Sequence, residues 1–241
     1  MEKTGSEMGM NKTGVQMSPK DIERMLKNVE ESGAEAGDGS GIAAVRTSYI
    51  TEAEPVGTVP MPGTVKGAAK AGVKKLTGKS PEVFLDMLGE RLAFERGGVR
   101  LYESMLTKCQ ATPEKIPGMS TEQLTHFRDE EAKHFRWVAE ALESLGADPT
   151  AQTPGADVTG IESMGIMQVM DDPRTTLSQS LHALLVAELA DHDGWELLIK
   201  LADDMGQDEM AKNFRQALKE EGEHLSHVRA WHEQSVRSEL K

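Results

Sequence analysis

The feature that most constrains this chain begins at Ser80. From there the sequence holds four stretches, each roughly 25–30 residues long, in which apolar side chains recur at helical spacing. The first follows Ser80 and Pro81, an N-cap residue and a first-turn proline, and runs to about Lys108. The second follows Ser120, with Gln123 three residues on as in a capping box, and ends before Gly146. The third runs from about Thr176 to Met205 and stops at Gly206, and the fourth starts near Asp208. Helices of this length hide an apolar stripe only by packing on one another, so an all-α bundle is predicted. The first two helices are joined by about a dozen residues, the last two by a tight glycine turn. The longer passage between helices 2 and 3, with a short helix around Ile161 to Met170, reads as one long crossover between two antiparallel hairpins.

Each stripe contains a glutamate. In the first helix the stripe reads Leu88, Leu92, Glu95, Val99, Tyr102; in the third, Leu181, Leu184, Leu185, Glu188, His192, Trp195, Ile199. The second and fourth each carry Glu-x-x-His: Glu131 and His134 among Leu124, Phe127, Phe135 and Val138, and Glu221 and His224 among Phe214, Ala217, Leu218, Leu225, Val228 and Trp231. A chain this rich in glutamate throws up such pairs by chance, so their placement inside apolar stripes is what matters. A buried carboxylate without a partner costs several kcal/mol or takes up a proton. Four of them, one per helix, call for a shared cation. Oxygen and imidazole donors suit iron or manganese, and zinc also accepts them. Glu90 competes with Glu95 in the first helix but lies on an ill-defined stripe. The competing structural account is an acidic bundle whose inward glutamates are protonated or paired with arginine.

Residues 1–79 have another texture. Gly, Ser, Thr, Ala and Pro dominate "EESGAEAGDGSG" and "EPVGTVPMPGTVKGAAKAGVKKLTGK", leaving little to bury. This part is expected to be a mostly disordered extension, with 80–241 as the folded domain. One short helix is predicted over about 19–31, where Ile22, Met25, Leu26 and Val29 share a face. The lysines at 66, 70, 74, 75 and 79 read as a solvated linker. The net charge of −13 argues against nucleic acid as a partner. The single cysteine, Cys109, excludes a Cys-x-x-Cys redox pair and a four-cysteine iron site. No secretory signal and no membrane-spanning run is read, so a cytoplasmic protein is expected.

The six positions Glu95, Glu131-x-x-His134, Glu188 and Glu221-x-x-His224 resemble the ferritin-like di-iron carboxylate proteins, the family that includes bacterioferritin and rubrerythrin. "FERGGVRLY" also looks like the first helix of rubrerythrin-like members. The resemblance covers about residues 82–235. It implies a ferritin-like four-helix bundle holding two iron ions, with manganese as the alternative. Glu131 and Glu221 would bridge the metals, Glu95 and His134 would complete one site, and Glu188 and His224 the other. Asp191 stands where rubrerythrin has a further glutamate. It is open between an auxiliary ligand, a partner for a metal-bound histidine and a surface charge.

The implied chemistry is reaction of Fe(II) with O2 or peroxide, as a peroxidase or a ferroxidase. A peroxidase would need an external electron donor, because rubrerythrin's rubredoxin-like iron site cannot be built with one cysteine. Iron storage in a cage, and a metal-stabilised interaction protein without turnover, are the other readings, and homo-oligomers are compatible with all of them.

Overall fold

The computed structural model describes residues 19–33, 38–65, 67, 69, 80–113 and 115–240, and all regular structure within them is helical, with no strand. The lysine run at 66–79 lies outside the described residues. Contacts divide the chain between Pro55 and Val56 into two compact units.

In the first unit, α1 spans Pro19–Ser32 and α2 spans Ser40–Glu52. The α1 helix lies where the sequence predicts one, and its Met25, Leu26 and Val29 are about half exposed. The α2 helix was not expected, and the stretch containing it read as disordered. Its apolar residues gather on no single face, so periodicity gives no signal. Its start is marked instead by Gly39 at φ 78° and by Asp38, whose Oδ1 accepts from the Ser40 N–H at 2.8 Å.

The second unit begins before Ser80. Val59 packs against the apolar core, and the backbone at Gly67 approaches Gly146 so closely that a Cβ would lie 2.9 Å from the Gly146 Cα. Gly146 itself sits at φ 82°, which suits glycine. The long helices follow: α3 (Pro81–Ala111), α4 (Thr121–Ser144), then the short α5 (Pro154–Glu162) and α6 (Met164–Asp171), then α7 (Leu177–Asp204) and α8 (Asp208–Glu239). The single short helix expected around 161–170 is therefore two. Thr153 caps α5 by accepting from the Ala156 N–H, and Ser163 separates α5 from α6. The expected cap at Ser80 makes no side-chain hydrogen bond. Ser120 does accept from the Gln123 N–H at 3.1 Å, but the complete reciprocal box is Thr176 with Gln179 at the start of α7.

Helix α3 packs against α4, α7 and α5; α8 packs against α7 and α4; and α6 packs against α7 and α3. Two apolar clusters result. One gathers Phe84, Leu88, Leu92, Val138, Trp195 and Phe214. The other gathers Leu101, Met105, Phe127, Leu184, Val228 and Trp231. Each such side chain contributes roughly 1.5–3 kcal/mol when fully buried. Helices α3 and α8 pass from the first cluster to the second, and α4 and α7 from the second to the first. Glu95, Glu131, Glu188 and Glu221 each fall where their helix passes between the clusters. Close approach also fixes α5: a Cβ at Gly89 would collide with the Thr153 side chain, and Asp86 Oδ1 accepts from the Gly155 N–H at 2.7 Å. No helix among the described residues is long and apolar enough to cross a membrane.

Candidate metal centre

All seven residues singled out from the sequence meet in one place. Helix α3 supplies Glu95, α4 Glu131 and His134, α7 Glu188 and Asp191, and α8 Glu221 and His224. None is more than 3 % exposed. Gly98 makes room for them, since a Cβ there would collide with the Glu131 carboxylate.

The donor atoms fall into two main groups, within each of which they lie no more than 4.8 Å apart: Glu95, His134 and Glu221, and Glu131, Glu188 and His224. A third grouping joins Glu95, Glu131 and Glu221 with Asp191. Glu221 stands between the two imidazoles. Its Oε1 is 2.6 Å from His134 Nδ1 and its Oε2 is 2.9 Å from His224 Nδ1. Glu95 Oε2 lies 3.8 Å from His134 Nδ1, and Glu131 Oε1 3.5 Å from His224 Nδ1.

Among the described residues, one oxygen each of Glu95, Glu131, Glu188 and Asp191 has no hydrogen-bond partner, and the Glu221 oxygens meet the two Nδ1 atoms as ion-pair contacts without hydrogen-bond geometry. Leaving that many buried polar atoms unmet would cost several kcal/mol, so the arrangement suits a cation at their focus.

The outward nitrogens of the two histidines are held reciprocally. Glu220 Oε2, from α8, lies 2.7 Å from His134 Nε2 on α4; Glu130 Oε2, from α4, lies 3.0 Å from His224 Nε2 on α8. A carboxylate accepting from Nε2–H leaves the Nδ1 lone pair facing inward, the tautomer a metal requires. Lys133 and Gln216 steady Glu220 in turn, at 2.6 and 2.8 Å. Phe127 packs on His224 with ring centroids 4.2 Å apart, and Trp195 meets His134 edge-on at 5.7 Å.

Proton affinities reflect the crowding. Burial, reinforced by neighbouring carboxylates, raises Glu95 and Glu188 well above the usual carboxylate range and raises Glu131 as well. Burial also opposes ionisation of Glu221, but the His224 and His134 imidazoles outweigh it and hold that carboxyl at about 2. Both imidazoles hold their protons more tightly than usual: burial works against the charged ring, and Glu221 overcomes it. Without a metal most of the cluster thus favours protons, with which a divalent cation would compete.

Asp191 is not a surface charge. It is buried and ion-paired with Arg91, a residue 2 % exposed that also lies 3.5 Å from Glu95 Oε1 and 3.3 Å from Glu90 Oε1. Its Oδ1 is engaged by this arginine rather than by a histidine. One glutamate of the cluster therefore has an arginine neighbour, as the metal-free account expects, while no arginine pairs with Glu131, Glu188 or Glu221 among the described residues. Glu90 lies outside the cluster, accepting from Thr159 Oγ1 at 3.2 Å. His227 turns to the Glu223 carbonyl at 2.8 Å, and neither it nor His192 joins either donor group. Tyr102, packed among apolar side chains, donates to Glu188 Oε1 at 2.6 Å.

Glu130, Glu220 and Arg91 were not read from the sequence. The glutamates had a signal: each directly precedes the inward glutamate of a Glu-x-x-His pair, in "RDEEAKHF" and "KEEGEHLS". Comparison of the chain with protein-family models, curated proteins and solved structures finds no match.

Proposed function

We propose that this chain is a ferritin-like di-iron protein that reacts Fe(II) with O2 or peroxide, manganese being the alternative metal. Its four long helices are read as a bundle, with α5 and α6 forming one long crossover. The directions in which those helices pass the two apolar clusters support that topology. The observation that carries the reading is the set of unmet, inward-facing donor atoms, divided into two groups that each hold one imidazole.

In this reading Glu221 spans both positions, one oxygen toward each imidazole. Glu131 joins it as the second shared carboxylate; Glu95 with His134, and Glu188 with His224, complete the two ends. A pair of ferrous ions would supply two electrons to O2 or peroxide, or be oxidised as substrate. The chain's own residues do the rest. Glu130 and Glu220 orient the imidazoles, Phe127 and Trp195 wall them in, and Tyr102 fixes Glu188. Entering cations would compete with the protons that the raised carboxyls and imidazoles favour. A peroxidase of this kind would draw on an external electron donor, since the chain has a single cysteine, the buried Cys109. A cytoplasmic setting completes the reading.

The first test is metal content of the full chain, with the near-ultraviolet response to Fe(II) and O2, beside the Glu131→Ala/Glu221→Ala double variant. About two ions per chain and a response absent from the variant are expected. No bound metal, and no difference between the proteins, would mean the glutamates are structural. Light scattering separates a storage cage from a small assembly, and turnover with peroxide and an artificial reductant separates an enzyme from a scaffold.

A further inference from the structure

We propose that a cavity on the outer face of α3 binds a small amphipathic organic anion. The cavity, of about 900 Å³, lies between α3 and the α5–α6 segment, and its size falls within the roughly 300–1,000 Å³ of ligand pockets.

Its floor is Gly97. A Cβ at Gly97 would meet nothing within 4 Å, and the same holds for Gly160 on the opposite wall. Two absent side chains thus leave the space open, while Ala93, Ala156, Met164 and Met167 give it apolar walls.

Three arginines and three aspartates line it, and they differ in whether they already have a partner. Each carboxylate is already engaged. Asp157 accepts from Gln152 Nε2 at 2.8 Å, Asp171 from Ser104 Oγ at 2.7 Å, and Asp172 from Arg174 Nη2 at 2.7 Å. Arg96 and Arg100, one turn apart on α3, have no ion pair or hydrogen bond among the described residues. Two free guanidinium groups beside apolar walls complement a carboxylate, sulfonate or phosphate carried on a hydrocarbon or aromatic body.

The same helical turn faces the carboxylate cluster from behind. Gly97 looks outward, and Gly98 abuts Glu131. An occupant would therefore lie against the turn that carries Glu95, the position of a substrate or an effector. That placement rests on the metal reading, whereas the binding itself does not.

The test uses the metal-free full chain and the fluorescent probe 8-anilinonaphthalene-1-sulfonate. Saturable binding is expected, displaced by octanoate but not by octanol or inorganic phosphate at equal concentration. Arg96→Gln/Arg100→Gln, which alters only exposed charge, should bind the probe at least about tenfold more weakly. Gly160→Leu, which adds bulk to the cavity wall and favours the helix, should weaken binding, with circular dichroism unchanged. If both variants titrate like the wild type, the dye sits on exposed apolar side chains elsewhere and the proposal fails. Equal displacement by octanol would also overturn it, since the arginines would then do nothing. Because no metal is present, loss of the di-iron reading would leave these results untouched.

Discussion

The two ends of the buried cluster have the same donors and different neighbours. At one end Glu95 and His134 stand beside Arg91, whose guanidinium is fixed by Asp191, by the Asp191 carbonyl oxygen at 3.3 Å and by the Phe94 ring at 4.5 Å. At the other end Glu188 and His224 stand beside the neutral Tyr102 hydroxyl. Asp191 offsets the Arg91 charge, but Arg91 Nη1 still lies 3.5 Å from Glu95 Oε1 and draws on that carboxylate more than a phenol draws on Glu188. The Glu188–His224 end is therefore expected to load first, and the Glu95–His134 end later and more weakly. A symmetrical set of ligands does not make a symmetrical site, because the groups behind the ligands set the local charge.

The largest expected effect acts on both ends together and gives the baseline for the comparison. Glu95, Glu131 and Glu188, and both imidazoles, hold protons more tightly in the folded chain than in the unfolded one. Their contribution to metal-free stability is complete below the ordinary carboxylate value of 4.5. It is lost as pH rises through their elevated folded values. Glu221 works the other way, and its contribution goes only as pH falls toward about 2. Thermal midpoints measured in chelator should therefore decline from mildly acidic to alkaline pH. Added Mn(II) should reverse the trend, since displacing protons becomes easier as pH rises. A flat profile in chelator would count against the cluster as drawn.

Next in size is Arg91→Met, which removes the difference between the ends. It leaves Asp191 buried without its cation and should cost about 3–5 kcal/mol in urea unfolding of the metal-free protein. Arg91→Met/Asp191→Leu should recover most of that, because a well-packed apolar pair in place of a buried ion pair is often neutral. In Arg91→Met the weaker metal-binding step should tighten while the stronger stays put; the double variant, which removes one charge of each sign, should tighten it less. Tightening of both steps alike would mean that Arg91 does not distinguish the ends.

These neighbours show where sequence reading stopped. The inward glutamates and histidines were legible because Leu92, Phe127, Trp195 and Val228 place them on apolar stripes, where a charge is conspicuous. Arg91, Glu130 and Glu220 were not, because a charged residue on a long helix defaults to the solvent side. Only tertiary packing brings Arg91 against α7, or Glu220 of α8 against the imidazole of α4. The four long helices announced themselves by period and caps. Helix α2 did not, since its apolar residues favour no face, and the 161–170 stretch gave no sign of the break at Ser163.

Smaller effects separate the ends one at a time. Glu220→Ala releases His134 and Glu130→Ala releases His224, so each should weaken one step of a Co(II) titration by about 10- to 100-fold. The Glu130 variant should strike the tighter step and the Glu220 variant the weaker. The reverse assignment would invert the loading order argued from Arg91.

The smallest change is Tyr102→Phe, which deletes one hydroxyl from the Glu188–His224 end. The ring keeps its edge contacts with Phe127 and His224, at centroid distances of 5.9 and 5.8 Å, so packing is preserved. What is lost is the 2.6 Å bond to Glu188, worth about 1 kcal/mol net. Urea unfolding should register that loss, and the Co(II) titration should show only the tighter step affected. A phenol removes no charge when it goes, so the order of loading should survive Tyr102→Phe although it does not survive Arg91→Met. If the order changes here too, hydrogen bonding rather than charge sets the difference between the two ends.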